Sequence, residues 1–210
     1  MEIALFPLAL TAFETEVVNL HIFEERYKQL VTDCLENESA FGLVPYFSEA
    51  TQDCGSLMRI QKIEKKYADG RMDVSTLCEG RFWIERMVNP WPGKLYAGAN
   101  GNEMPELEME MDENSMDVLI RLINEFYSII GADKVTRSKL GANPSAIIGH
   151  KVGLDVELEY DMLLLNSEQE RVYYMCEHLE GLIPILMKAE NAKGRIQMNG
   201  HFKRFDALDF

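Results

Sequence analysis

The sequence predicts an α+β protein: a small β barrel or folded sheet with one inserted helix, followed by a C-terminal helical bundle. Three observations carry that expectation. Short apolar runs alternate with tight turn signals over about the first hundred residues, one stripe of helical period interrupts them, and the apolar spacing is helical from residue 115 nearly to the end. The two parts divide near residue 105, into 1–105 and 106–210. A chain of 210 residues that is 47% hydrophobic and 27% charged can bury a sizeable core, which excludes a disordered chain, a collagen-like repeat and a disulfide mini-protein.

The first unit opens on Ile3 to Leu10, an apolar run broken by Pro7, as befits a strand at a sheet margin. Val17, Val18 and Leu20 form a second short strand. Phe23, Tyr27, Leu30, Val31, Cys34 and Leu35 then fall on one helical stripe, with Glu24, Glu25 and Arg26 on its wet side. The acidic pair suits the positive end of the helix dipole. Strand-like segments follow at Phe41 to Phe47, Gly55 to Lys65, Met72 to Cys78, Arg81 to Met87 and Lys94 to Ala99. Asp69-Gly70 marks a hairpin, because both residues tolerate positive φ. Residues 100–115 turn polar and acidic, with Glu103, Glu106, Glu108, Glu110, Asp112 and Glu113 close together. They read as a solvated linker, or as a short edge strand in which Leu107, Met109 and Met111 alternate with the acids.

In the second unit Met116, Leu119, Ile120, Ile123, Tyr127 and Ile130 make one stripe, ended by Gly131. Asn143-Pro144 reads as an N-cap with proline at the first helical position, and that short helix stops at Gly153. Asp155 caps the next helix, which runs to about Leu165. Ser167-Glu168-Gln169-Glu170 is a capping box. The helix it opens carries Val172, Cys176, Leu179, Ile183, Leu186 and Met187, with Pro184 inside the stripe as a source of bending.

Charge and chemistry narrow the function. With 21 Lys and Arg against 35 Asp and Glu, the chain carries −14, which repels phosphate backbones and makes nucleic acid an unfavoured partner. Cys34, Cys54, Cys78 and Cys176 stand singly, at no zinc or redox spacing, and read as small buried thiols of a reducing cytoplasm. The N-terminus lacks a basic region ahead of an apolar stretch, and no apolar run approaches the ~20 residues of a bilayer span, so the chain reads as soluble and cytoplasmic. His21, His150, His178 and His201 are too dispersed for a metal motif and read as surface or hydrogen-bonded structural residues. No phosphate-binding loop, dinucleotide fingerprint or nucleophile elbow occurs, so no enzyme activity, cofactor or metal is expected.

Two features remain as binding candidates. Tyr46 and Phe47 follow Pro45, and Trp91 stands between Pro90 and Pro92; aromatics held in turns serve as docking surfaces. Trp91 has a second reading, as a plug for one end of the barrel. Lys193, Arg195, Lys203 and Arg204 form a basic stretch in an acidic chain, open to RNA, to an acidic partner or to pairing with the acidic body.

Several ordered motifs carry a family resemblance over about residues 3 to 99. Leu5-Phe6-Pro7-Leu8 is followed by Leu20-His21-Ile22-Phe23-Glu24-Glu25-Arg26-Tyr27. Phe41-Gly42-Leu43-Val44, Gly55-Ser56-Leu57-Met58-Arg59-Ile60, Asp69-Gly70-Arg71-Met72 and Gly80-Arg81-Phe82-Trp83-Ile84 come in the expected order. Together they resemble the Lon protease N-terminal (substrate-binding) domain family, and the helical half looks like the partner found in stand-alone members. The chain departs from the pattern at Phe13-Glu14-Thr15-Glu16, where many members carry Phe-Pro-Gly. The resemblance implies a PUA-like β barrel with a helical bundle. It implies non-catalytic recognition of a polypeptide, an unfolded segment or a partner protein, with neither the ATPase nor the peptidase module of full Lon proteases. Tyr46, Phe47 and Trp91 are then the candidate polypeptide-binding residues, and an RNA-binding PUA-like protein is the rival reading.

Overall fold

Seven strands are built from the turn-punctuated half of the sequence: β1 (Glu2–Leu8), β2 (Val17–Ile22), β3 (Phe41–Phe47), β4 (Ala50–Thr51), β5 (Cys54–Lys66), β6 (Met72–Val88) and β7 (Ala97–Glu103). The structure, a computed structural model, describes residues 1–202, and of residues 193–202 it describes the helical backbone alone. The strand path runs β1-β7-β6-β5-β3, and β3 pairs in parallel with β1, so the pairing returns to its start. The β2 strand lies along the distal part of β6, and β4 along the end of β3.

Side-chain alternation sorts β1 onto two cores. Ile3 and Leu5 join Val44, Phe82, Ala97 and Ala99. Phe6 points the other way and stacks on Tyr27 of α1 (Glu25–Glu36), with ring centroids 4.0 Å apart. Glycines make room for Phe82: a Cβ on Gly42 would lie 2.3 Å from its ring, and one on Gly55 would lie 2.8 Å away.

Three sequence expectations need correction in this half. Met72 to Cys78 and Arg81 to Met87 are one continuous strand, because Gly80 keeps pairing with Leu57 while Glu79 is taken up as a bulge in β6 itself. The strand expected over Lys94 to Ala99 is β7, which starts at Ala97 and takes in residues 100–103 of the supposed linker. Glu24 stands at the N-cap of α1, so Phe23 precedes the helix and lies exposed; Leu35 is exposed as well. The hairpin at Asp69-Gly70 forms as read, with Gly70 at φ 83° and the Asp69 carboxylate accepting from Arg71 N.

The helical half comprises α2 (Glu113–Ile130), α3 (Arg137–Leu140), α4 (Pro144–Ile148), a 3-10 turn (Gly149–Lys151), α5 (Val156–Leu163) and α6 (Glu168–Phe202). Its caps follow the local sequence. Asp112 accepts from Ser115 N, Gly131 takes φ 75° at the end of α2, and Asn143 caps α4 ahead of Pro144. Ser167 and Glu170 exchange side-chain and backbone bonds of 3.2 Å each way, the capping box at α6. The helix continues past Pro184. Ile130 and Met187, placed on apolar stripes by spacing, are exposed, whereas Leu122 and Phe126 are buried.

The acidic segment before α2 is tied down rather than free. Leu107 is buried, Glu108 N donates to Asn166 O, and Glu168 N donates to Glu108 O, a single parallel bridge to the start of α6. Phe13 and Cys54, from the strand half, lie in the same apolar cluster as α2, α5 and α6. All four cysteines are free and buried.

Candidate functional site

The three sequence-nominated aromatics do not converge. Tyr46, near the end of β3, is 45% exposed and pairs with Thr51, whose hydroxyl contacts the sulfur of the 43% exposed Met87 at 3.7 Å. Phe47 is half-buried and meets the ring of Tyr160 of α5 edge-on at 5.6 Å, so it serves the joint between the halves. Trp91 is half-buried at the other end of β3. It lines a cavity with Ile3 and Ala40, the latter about 20 Å along an extended strand from Tyr46.

That cavity has a volume of about 320 Å³ and lies where the last turn of α1 meets the start of β1 and the loop before β7. The loop is held by Trp91 N donating to Tyr96 O and Lys94 N donating to Trp91 O. Tyr96 and Lys94 both donate to Asp33 Oδ2, at 2.6 and 2.8 Å. Burial works against the Asp33 charge, but the bonds from Lys94 and Tyr96 outweigh it and hold the carboxyl below its usual range. Burial, reinforced by the Asp33 acceptor, pushes the Tyr96 phenol up. The indole of Trp91 rests over Gly98, where a Cβ would stand 2.4 Å from Cε3.

Two polar clusters join the halves, and both draw on the departing segment Phe13 to Glu16. Glu14 Oε1 lies 2.6 Å from Arg81 Nε and Oε2 lies 2.7 Å from Arg171 Nη1, with both arginine side chains fully buried. The Arg81 Nε–H is not aimed at that oxygen, so this contact is ionic rather than an aligned hydrogen bond. Arg81 Nη1 donates to Leu163 O and Leu165 O at 2.7 Å. Glu168 accepts from Ser145 N and Oγ, and burial pushes its carboxyl up against those bonds. In the second cluster His150 lies between Glu159 at 2.7 Å and Glu16 at 3.1 Å, and Thr11 donates to Glu159. Burial pulls His150 down, yet the bonds to Glu159 and Glu16 outweigh it and its pKa rises to about 9.

None of these buried charges was nominated by sequence. Arg171 did leave a signal, since it stands on the apolar stripe of α6 one turn before Met175. Lys203 and Arg204 lie outside the described residues, as do the side chains of Lys193, Arg195 and His201. Among the described residues no group of three metal-ligating side chains assembles, and no helix is long and apolar enough to cross a membrane.

No protein-family model matches the sequence, and no curated protein does. Solved structures do match the fold. The chain superposes on a Lon N-terminal domain protein from Xanthomonas campestris with TM-score 0.63 and 18% identity, over 82% of this chain and 95% of that one. It superposes on the N-terminal domain of the Mycobacterium avium complex Lon protease with TM-score 0.61 and 13% identity, over 86% and 98%. This mixed α/β chain, with its mostly antiparallel sheet, therefore has the Lon N-terminal domain fold.

Proposed function

We propose that the protein recognises polypeptide, an unfolded segment or a partner protein, and does so without catalysing a reaction. The observation that carries this reading is the fold, shared with Lon N-terminal domains along nearly their whole length. The ring of strand pairings supports a PUA-like barrel, and residues 1–105 and 106–210 are its sheet-bearing and helical units. Tyr46 and Met87 supply an exposed apolar pair on the sheet, and Trp91 supplies a second contact point at the cavity. His150, held protonated between two carboxylates, is spoken for structurally and offers no general base. A cytoplasmic setting is consistent with four free thiols. The charge of −14 sets polypeptide ahead of RNA.

Fluorescence anisotropy with a labelled, permanently unfolded model protein tests the reading. Binding should weaken about ten-fold in Tyr46→Ser/Met87→Ser, because apolar contact is lost. It should change little between 50 and 200 mM salt. No binding, or binding indifferent to both substitutions, overturns it. So does tight RNA binding that falls by about fifty-fold over the same salt range, the slope for some four phosphate contacts.

A further inference from the structure

The cavity beside Trp91 is electrostatically one-sided. It sits at the C-terminal end of α1, whose last turn carries no basic residue, so the negative end of the helix dipole has no cation from its own helix. Glu2 and Asp33 add two carboxylates to the lining, against one cation, Lys94. Both donors to Asp33, Lys94 and Tyr96, take Oδ2, and among the described residues no donor takes Oδ1. The indole of Trp91, braced by Gly98, forms part of the wall. A volume of about 320 Å³ is at the small end of ligand pockets, suited to one long side chain rather than to a helix or strand.

We propose that this cavity receives a cationic side chain of a bound polypeptide, arginine in preference to lysine. The cation would lie against the Trp91 ring while Asp33 Oδ1 and Glu2 balance its charge. A planar guanidinium stacks on an indole and gives up water more readily than an ammonium, which sets the preference. The assignment deepens the polypeptide reading by naming the residue class this subsite selects, and it rests on that reading for the origin of the side chain.

The test uses single-residue probes, so its outcome is separate from the unfolded-protein titration. N-acetyl-arginine N-methylamide is titrated against the 15N-labelled full chain, following the two tryptophan indole N–H signals, with Trp91→Phe assigning them. The signal of Trp91 should shift and saturate with a Kd on the order of 10 mM, while that of Trp83 stays in place. The neutral isostere N-acetyl-citrulline N-methylamide should bind at least about ten-fold more weakly. Glu2→Gln, at an exposed position that leaves the fold alone, should weaken the arginine probe several-fold. Equal response to both probes, an equal shift at Trp83, or no shift at Trp91 overturns the subsite, whatever the unfolded protein does.

Discussion

Glu14 and Arg171, separated by 157 positions in the chain, meet at 2.7 Å in a setting where the guanidinium is wholly buried. The same carboxylate lies beside Arg81, so one acid from the turn between β1 and β2 is shared by two buried cations, one from each half of the protein. The turn is shaped for this. Thr15 adopts φ 71°, and Asn143 Nδ2 donates to Glu14 O and to the Thr15 hydroxyl, fixing the turn against the start of α4. The resemblance family's Phe-Pro-Gly is missing at this place, and the residues there instead supply the acid that locks the halves together.

Removing that acid leaves both buried guanidiniums without the carboxylate they share, the costly way to break a buried pair. Glu14→Leu should therefore lose about 3–5 kcal/mol in urea unfolding, far above a typical surface change. Adding Arg171→Met should recover part of the loss, since one uncompensated charge disappears. A single mutant within about 1 kcal/mol of the wild type would show that the pair does not hold the joint.

Local features of this fold were legible in sequence and tertiary ones were not. Asn143-Pro144, Asp155, the Ser167 to Glu170 box and Gly131 are satisfied by neighbours within a few residues, so their chemistry is readable from spacing alone. Gly80 reads as punctuation in the sequence, yet β6 runs through it, with Glu79 taken up in a bulge that no local pattern shows. Phe23 and Leu35 obey the helical period and still face solvent, because exposure depends on which neighbours exist. At the candidate site, the nominated Tyr46, Phe47 and Trp91 were visible as turn-held aromatics. Asp33 and Lys94, which build the cavity around Trp91, come from segments 61 residues apart and have no meaning until the chain folds.

Asp155 allows a direct measurement of one such local signal. Its carboxylate accepts from both Glu157 N and Leu158 N, satisfying two amides that have no partner within α5. Asp155→Ala should cost about 1 kcal/mol in chemical denaturation, and Asp155→Ser should restore most of it. An alanine variant as stable as the wild type would mean that water replaces the cap without loss.

The cluster at His150 makes stability depend on pH in a defined direction. Its pKa of about 9 when folded exceeds the ordinary histidine value near 6.5, so the folded state binds the proton more tightly. The contribution is fully present below about pH 6.5 and is lost as pH rises through about 9. The imidazole is 24% exposed, so solvent screening trims the gain, to roughly 2–3 kcal/mol at most. His150→Gln keeps a hydrogen-bonding group without the charge. Unfolding curves from pH 6 to 9 should fall in the wild type relative to the variant, with the difference narrowing toward pH 9. Parallel curves over that range would exclude a protonated His150.

Gly98 offers the most selective perturbation of the cavity. Its backbone is not in the left-handed region, so alanine meets no conformational penalty there, but a Cβ would stand 2.4 Å from Trp91 Cε3 and 2.5 Å from Cδ2. Contacts that close are not tolerated, and the indole is the group that must move, since the strand around Gly98 is paired to Val88 on one side and Ala4 on the other. Gly98→Ala should fold with a loss of about 1–3 kcal/mol, the usual range for overpacking. The emission of Trp91 should shift to the red as the ring leaves its seat, and the arginine probe should no longer bind. Gly80→Ala is the matched control, because a Cβ there meets nothing within 4 Å. If Gly98→Ala keeps both the emission maximum and the response to the arginine probe, the indole is not seated on Gly98 and the wall of the proposed subsite is wrongly assigned.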